Sequence, residues 1–454
     1  MLKNMGIGKI FQIKSFQFWA FFAGLFALSF FIFFWRFPDA FFQSNFYAED
    51  ATFSLKIIDK QFFGALFERF NGYYIFGLYI LTGIALFLNK IIFADFLSLP
   101  KSIALISYAF FSFSVTLPIL LFWNKIKKTN LVFLVVLSSF VPLAGFDYAV
   151  IGNVGNLKFI FSYIAFLFIV YRIYLPEGGR GYILADFVIF ICAYTNPAVY
   201  LLFPVIYFSY LRKVFLEKSG LRGLLKDKSF VSALILALAL AVQLIVIKLQ
   251  GIPELKGYMN EPFDYKKTIE IFLARPYLYA VIYNFFDRLN DFWSLFLFSF
   301  LCILTWIYGR KKWTYLFSVY SILAITVIFV STRTGVHVFF DSYKMPSGPS
   351  QFFYTQNLIF YFIFIWFLQE FFSHMEKQTR VLIFVFVAGF FLLSFPKSGS
   401  FGKNNAMLKV GTFEENAKKA CKASSHVKDK VKVVLYPNPD MTITELFPKK
   451  LICH

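Results

Sequence analysis

Long apolar runs separated by short polar breaks dominate the chain, and that spacing predicts helices rather than strands. Residues 16–35, from Phe16 to Trp35, continue for about twenty positions without a charge, the length a helix needs to cross a hydrocarbon core. Further runs lie near 102–123, 130–150, 157–171, 182–194, 197–211, 230–249, 291–309, 313–331, 352–371 and 380–395, which predicts about eleven crossings. The runs at 182–194 and 197–211 are short for a perpendicular crossing, and Tyr194-Thr195-Asn196-Pro197 supplies turn chemistry between them. They predict a pair of half-length helices whose break faces the protein interior, because backbone outside a helix is not tolerated against lipid.

The stretch 73–98 is also apolar, but its Asn89, Lys90 and Asp95 are costly in lipid. Counting it as a crossing would also move Lys125, Lys127 and Lys128 to the outer side. It is predicted as an interfacial or re-entrant helix. The chain therefore divides into a transmembrane bundle over 1–395 and a tail over 396–454. Two long external loops are predicted within the bundle, over 36–101 and 250–290. In the tail, a helical pattern near 412–423 and the alternating run Val431 to Tyr436, stopped by Pro437-Asn438-Pro439, predict a small external α+β cap. The fold class expected is an all-α polytopic membrane protein with this cap attached.

Composition agrees with lipid as the solvent. Hydrophobic residues make up 59% of the chain and charged residues 15%, against about a quarter in ordinary soluble domains. The formal net charge of +20 would raise the question of a polyanionic partner, but the lysines and arginines gather at helix ends. Orientation during insertion explains them, and nucleic acid is excluded as a partner. With the N-terminus inside, the basic loops around Lys125, Arg172, Arg212, Arg310 and Lys377 all fall on the cytoplasmic side, and the C-terminus falls outside. The first run has no small-residue cleavage site and is read as a retained anchor.

Several chemistries lose their support. There is no Walker lysine motif, no G-x-G-x-x-G and no H-E-x-x-H, and His337, His374, His426 and His454 lack metal-ligand spacing. The longest cytoplasmic loop, about 211–229, is far too short for a nucleotide-binding domain. Cys192 and Cys302 sit in apolar runs and behave as small hydrophobes. Cys421 and Cys453 lie in the tail, on the side where oxidation is permitted, and form a disulfide candidate; two free thiols are the alternative.

The leading positive signal is Phe46-Tyr47-Ala48-Glu49-Asp50-Ala51, just beyond the first helix. Adjacent carboxylates repel each other, and partial burial near a membrane raises a carboxyl's pKa, which makes Glu49 and Asp50 candidates for proton transfer or for holding a divalent cation. Asp50 acting as a helix cap is the plain structural reading, and the two are compatible. Basic residues on the outer side, including Arg36, Arg69, Arg275, Arg333 and Lys344, either meet headgroups or line a cavity that grips a phosphate. Arg333, Asp341, Tyr343 and Lys344 form the densest polar set. Asn153 and Asn156, in Gly152-Asn153-Val154-Gly155-Asn156-Leu157-Lys158, fit a turn, or amide contacts to a sugar hydroxyl.

The acidic pair in a long first loop, Gly72-Tyr73-Tyr74 after it, the Gly-Asn turn at 152–156, the Asn196-Pro197 break and the approach from Arg333 to Tyr354 together resemble the GT-C class of integral-membrane glycosyltransferases, in a bacterial branch of that class. The resemblance spans the chain in layout and rests on short motifs. It implies a sugar taken from a polyprenyl-phosphate carrier and delivered, with inversion, to a glycan or lipid acceptor on the periplasmic side of the bacterial inner membrane. By position it makes Asp50 the base and Glu49 the residue that orients acceptor or metal. Ala51 departs from the glycine that often follows the pair, and the middle loop offers only Glu254, Glu261 and Asp264 as a second acidic element, so a divalent cation stays open. Other classes are a flippase or transporter for lipid-linked glycan, an oligosaccharide polymerase and a membrane scaffold. A translocation path would need ionisable residues deep in several helices, and Asp186 is the one that stands out.

Overall fold

The computed structural model describes residues 16–141, 143, 150–174, 181–208, 210, 225–250, 262–278, 312–331, 353–372, 411–424, 429–435 and 443–453, with six isolated positions between them. The first helix, α1 (Phe16–Arg36), buries Phe18, Leu25, Ser29, Ile32, Phe33 and Arg36, a stripe at helical spacing, and turns Phe31 and Trp35 outward. A short α2 (Asp39–Phe42) leads to α3 (Ala48–Leu66) and then to a hairpin of β1 (Arg69–Phe70) and β2 (Tyr73–Tyr74). Asn71 and Gly72 at its tip both take positive φ, 54° and 86°, the requirement of a two-residue type I′ turn.

Next come α4 (Phe76–Ile92), α5 (Leu99–Phe122), α6 (Lys128–Ser139), α7 (Lys158–Ile173), α8 (Gly181–Ala193) and α9 (Lys228–Gln250). They are followed by α10 (Tyr265–Leu273), continued by a π-helical turn Ala274–Leu278, then α11 (Lys312–Ser331) and α12 (Tyr354–Phe372). The centre of the bundle is α7, buried along nearly its whole length and packed against α5, α8 and α12.

Against the eleven crossings expected, five helical segments among the described residues are long and apolar enough to cross a bilayer: Phe16–Arg36, Phe96–Phe122, Gly155–Ile173, Lys228–Leu249 and Thr314–Ser331. By length and composition these are the marks of an integral membrane protein. The expected runs at 291–309 and 380–395 lie outside the described residues, apart from isolated positions.

At 17 residues, α4 falls short of a full crossing, and it exposes Ile84, Phe87, Ile91 and Ile92 while burying Leu78, Tyr79, Thr82 and Ala85. Of the polar residues at its end, Lys90 is exposed, and Asn89 and Asp95 bond within the turn to α5. Asn89 donates to the Asp95 carbonyl at 2.8 Å and accepts from Ser102 at 3.1 Å, and Asp95 accepts the Leu97 amide at 3.0 Å. The Thr195-Asn196 break after α8 is buried and draws on two neighbouring helix starts. Gly77 N donates to Thr195 Oγ1 at 2.7 Å, and Asn196 Nδ2 donates to the Lys158 carbonyl and to Ser162 Oγ, both at 2.9 Å.

The tail folds as α13 (Phe413–Ala423), an antiparallel pair of β3 (Lys430–Leu435) and β4 (Ile443–Pro448), and a terminal turn α14 (Lys449–Ile452). Thr412 and Glu415 form a reciprocal capping box at the start of α13. Along β3, Val431, Val433 and Leu435 point inward and Lys430 and Lys432 outward. The sulfurs of Cys421 and Cys453 are bonded, which ties α13 to the chain just beyond α14. This cap packs against the first loop, so tail and loop lie on the same face of the molecule.

Candidate active site

The loop that follows α1 delivers Glu49 and Asp50 in the first turn of α3, where Asp50 N donates to the Tyr47 carbonyl at 2.8 Å. The Asp50 side chain leaves α3 altogether. Its Oδ1 accepts Gly155 N at 2.7 Å and Val154 N at 3.1 Å, and its Oδ2 lies 3.3 Å from Val154 N. These amides stand at the 3-10 turn Gly155–Leu157 that opens α7, where helix geometry leaves backbone N–H groups without partners. Asp50 therefore caps a helix other than its own, and it is 1% exposed. Burial pushes its pKa up from 3.8 to about 8; the Gly155 and Val154 amides and Lys158 pull it down, and Glu49 pushes it further up.

Glu49 lies against the same turn but is less enclosed. Its side chain is 25% exposed and lies 3.6 Å from Lys158 Nζ in an ion pair. A Cβ on Gly155 would stand 2.7 Å from Glu49 Oε2 and 3.3 Å from Glu49 Cβ, so a glycine is needed for the close approach. Gly152 has φ +85°, and its Cβ would meet that of Ala40 at 2.3 Å. Its amide donates to Ser107 Oγ at 3.0 Å. Asn153 Oδ1 accepts Asn156 N, three residues on, at 3.0 Å, a side-chain-to-backbone bond that supports the turn into α7. The Gly-Asn segment is thus a shaped cradle whose amides and lysine receive the acidic pair.

The other sequence candidates are spread out. Arg36, 1% exposed, donates to the Ser139 and Val141 carbonyls at 2.7 and 2.9 Å and closes the C-terminal end of α6. Arg69 lies over the Tyr74 ring at 5.6 Å within the hairpin. Arg275 is buried in the π-helical turn with its guanidinium 4.9 Å from the Phe353 ring centre. Asp264 accepts the Thr268 amide through its carbonyl at the start of α10. Arg333, Asp341, Tyr343, Lys344, Glu254 and Glu261 lie outside the described residues. Among the described residues, no three His, Cys, Asp or Glu side chains come together to hold a metal ion.

Asp186, on which a translocation path would draw, is locked to Arg172 in a two-pronged ion pair at 2.5 and 3.0 Å, and Ser232 donates to the same carboxylate at 2.6 Å. Arg172 also donates to Tyr210 and to the Ser229 carbonyl, both at 2.7 Å. A carboxylate bound this completely holds helices together and is not poised to exchange a cargo. Sequence reasoning left out Thr52, Glu445 and the rings around Phe46, which the tail brings to this region from hundreds of residues away.

Compared with known proteins, the chain matches no family model, no curated protein and no solved structure.

Proposed function

We propose that the protein is a membrane glycosyltransferase that moves a sugar from a polyprenyl-phosphate carrier to an acceptor on the outer side of the membrane. The observation that carries this reading is the acidic pair fastened to the start of α7, with one carboxyl group buried and its neighbour partly exposed beside a lysine. Transfer from a lipid phosphate needs a base for the acceptor hydroxyl and cations for the departing phosphate, and it needs no nucleotide domain.

Access favours Glu49 as the base, because both oxygens of Asp50 lie against backbone amides. Glu49 takes the proton of the acceptor hydroxyl, the acceptor oxygen attacks the anomeric carbon, and the bond from that carbon to the phosphate oxygen breaks with its electron pair. Attack opposite the leaving group inverts the anomeric configuration. Lys158 supplies a cation beside the base, on the side where the phosphate departs. Asp50 holds the first turn of α3 where Glu49 can act.

The contact between cap and first loop supports the layout. Two segments on one side of a bilayer are separated by an even number of crossings, so with α1 crossing once the total is odd. Eleven crossings, an inside N-terminus, an outside C-terminus and a bacterial cytoplasmic membrane belong to this proposal.

The test is transfer by the purified, full-length protein from labelled polyprenyl-phosphate hexoses and pentoses. The expected result is labelled product with the wild-type protein and a loss of about 100-fold in Glu49→Gln. Failure to release polyprenyl phosphate from any donor would overturn the reading.

A further inference from the structure

The cap touches the first loop on both sides of the acidic pair. Upstream, Phe413 N donates to the Ser44 carbonyl at 2.9 Å, and Asn45 Nδ2 donates to the Gly411 carbonyl at 3.0 Å. Phe46 completes a triangle of rings with Phe413, edge-on at 4.7 Å, and Phe447, stacked at 5.8 Å, which themselves lie 5.1 Å apart, and Phe96 at the end of the first loop closes the cluster 6.1 Å from Phe46. Phe46, Phe413 and Phe447 are as buried as any residue of the bundle core. Downstream, Thr52 Oγ1 donates to Glu445 Oε2 at 3.3 Å. Glu49 and Thr52 are three residues apart on α3, which makes them neighbours on one helix face, so a contact that holds Thr52 also holds the turn that bears Glu49.

We infer that the C-terminal cap is a positioning element for the acidic pair: Phe413 and Phe447 grip Phe46 on one side of it, and Glu445 grips Thr52 on the other. The Cys421–Cys453 bond joins the two ends of the cap, so both grips belong to one scaffold. Within the reaction, the clamp orders Glu49 without touching substrate, and this catalytic half rests on the glycosyltransferase reading. The geometric half, ordering of residues 44–54, stands without it.

The experiment compares Thr52→Val, Thr52→Ser and Phe447→Ala with wild type, all full-length in detergent, by amide hydrogen exchange and by transfer from a labelled polyprenyl-phosphate hexose. Thr52→Val and Phe447→Ala are expected to speed exchange over residues 44–54 on the order of tenfold while α5 and α7 exchange as before. Turnover at saturating donor falls about tenfold with the donor KM unchanged, as for loss of an interaction that matters after binding. Thr52→Ser keeps the hydroxyl and restores both. Thr52→Val alters the first-loop side alone, so it decides the matter even where Phe447→Ala loosens the cap itself. Unchanged exchange over 44–54 in both variants overturns the clamp, and faster exchange with unchanged turnover overturns its catalytic role. A wild-type protein inactive with every donor refutes the transferase reading and leaves exchange alone to judge the clamp.

Discussion

The amide of Gly155 donates to the carboxylate of Asp50 at 2.7 Å across 105 residues of sequence. That bond fastens the first loop to the start of the central helix, removes Asp50 from solvent and leaves Glu49 as the exposed member of the pair. The two side chains therefore differ in environment, and the roles proposed for them have separate signatures.

Glu49→Gln should lose about 100-fold in transfer rate with little change in folding, since a base is lost and no buried group is stranded. Asp50→Asn keeps an acceptor oxygen for Gly155 and should stay within about tenfold of wild type. Asp50→Leu strands two buried amides and should cost about 2–4 kcal/mol in stability. Initial transfer rates and thermal unfolding at matched expression measure all three. A loss in Asp50→Asn as deep as that in Glu49→Gln would return the base role to Asp50.

The raised pKa of Asp50 makes a pH prediction with a definite sign. Below pH 3.8 the group is protonated both folded and unfolded, and above about 8 it is ionised in both. Between those limits the folded protein holds a proton that the unfolded chain has released, so stability falls as pH rises. The unfolding midpoint of wild type should therefore drop relative to Asp50→Asn between about pH 5 and pH 8. Parallel midpoint curves would show that Asp50 does not titrate there.

Two glycines of the cradle should fail differently. A Cβ on Gly152 meets Ala40 Cβ at 2.3 Å at a positive φ, with nothing flexible to yield, so Gly152→Ala should cost about 1–3 kcal/mol in stability. On Gly155 the Cβ meets the free end of Glu49 at 2.7 Å, which can swing aside, and the Glu49 Cβ at 3.3 Å, which need give only slightly. Gly155→Ala should unfold near the wild-type midpoint and lose about tenfold or more in transfer as the Glu49–Lys158 pair is displaced. Equal effects of the two substitutions on stability would contradict this division.

Alkylation of the intact, unreduced protein should leave Cys421 and Cys453 unlabelled, and reductant should expose both. The bond spans 32 residues, so the double Cys421→Ser, Cys453→Ser variant should lose roughly 3–4 kcal/mol of cap stability in the chain-entropy model. Protease sensitivity confined to the tail would read that loss. Labelling of both cysteines before reduction would rule the bond out.

The acidic pair is legible in the sequence because carboxylates are scarce there, and α13 and β3 are legible because their patterns are local. What Asp50 does is not, since the partner amides carry no side-chain mark and stand more than 100 residues away. Phe46 is one of 68 phenylalanines, and nothing in its neighbourhood distinguishes a ring that meets the tail from one that meets lipid. Arg36 illustrates a different limit: an arginine at the end of a membrane helix reads alike for a headgroup, a phosphate or a carbonyl, and only the fold brings Ser139 and Val141 to it. The apolar run at 130–150 likewise suggests one long helix, whereas α6 ends at Ser139, where Arg36 takes up the carbonyls.

The bond between Asn45 and Gly411 also sets an order of events. The 366 residues from Phe46 through Gly411 must be synthesised first, which takes roughly 20–70 s at ordinary rates. Throughout that interval the segment bearing Glu49 and Asp50 has emerged without its clamp. The candidate site is thus made long before it is finished, and a chain stalled or cut before Phe413 carries the acidic pair without the grip of the cap.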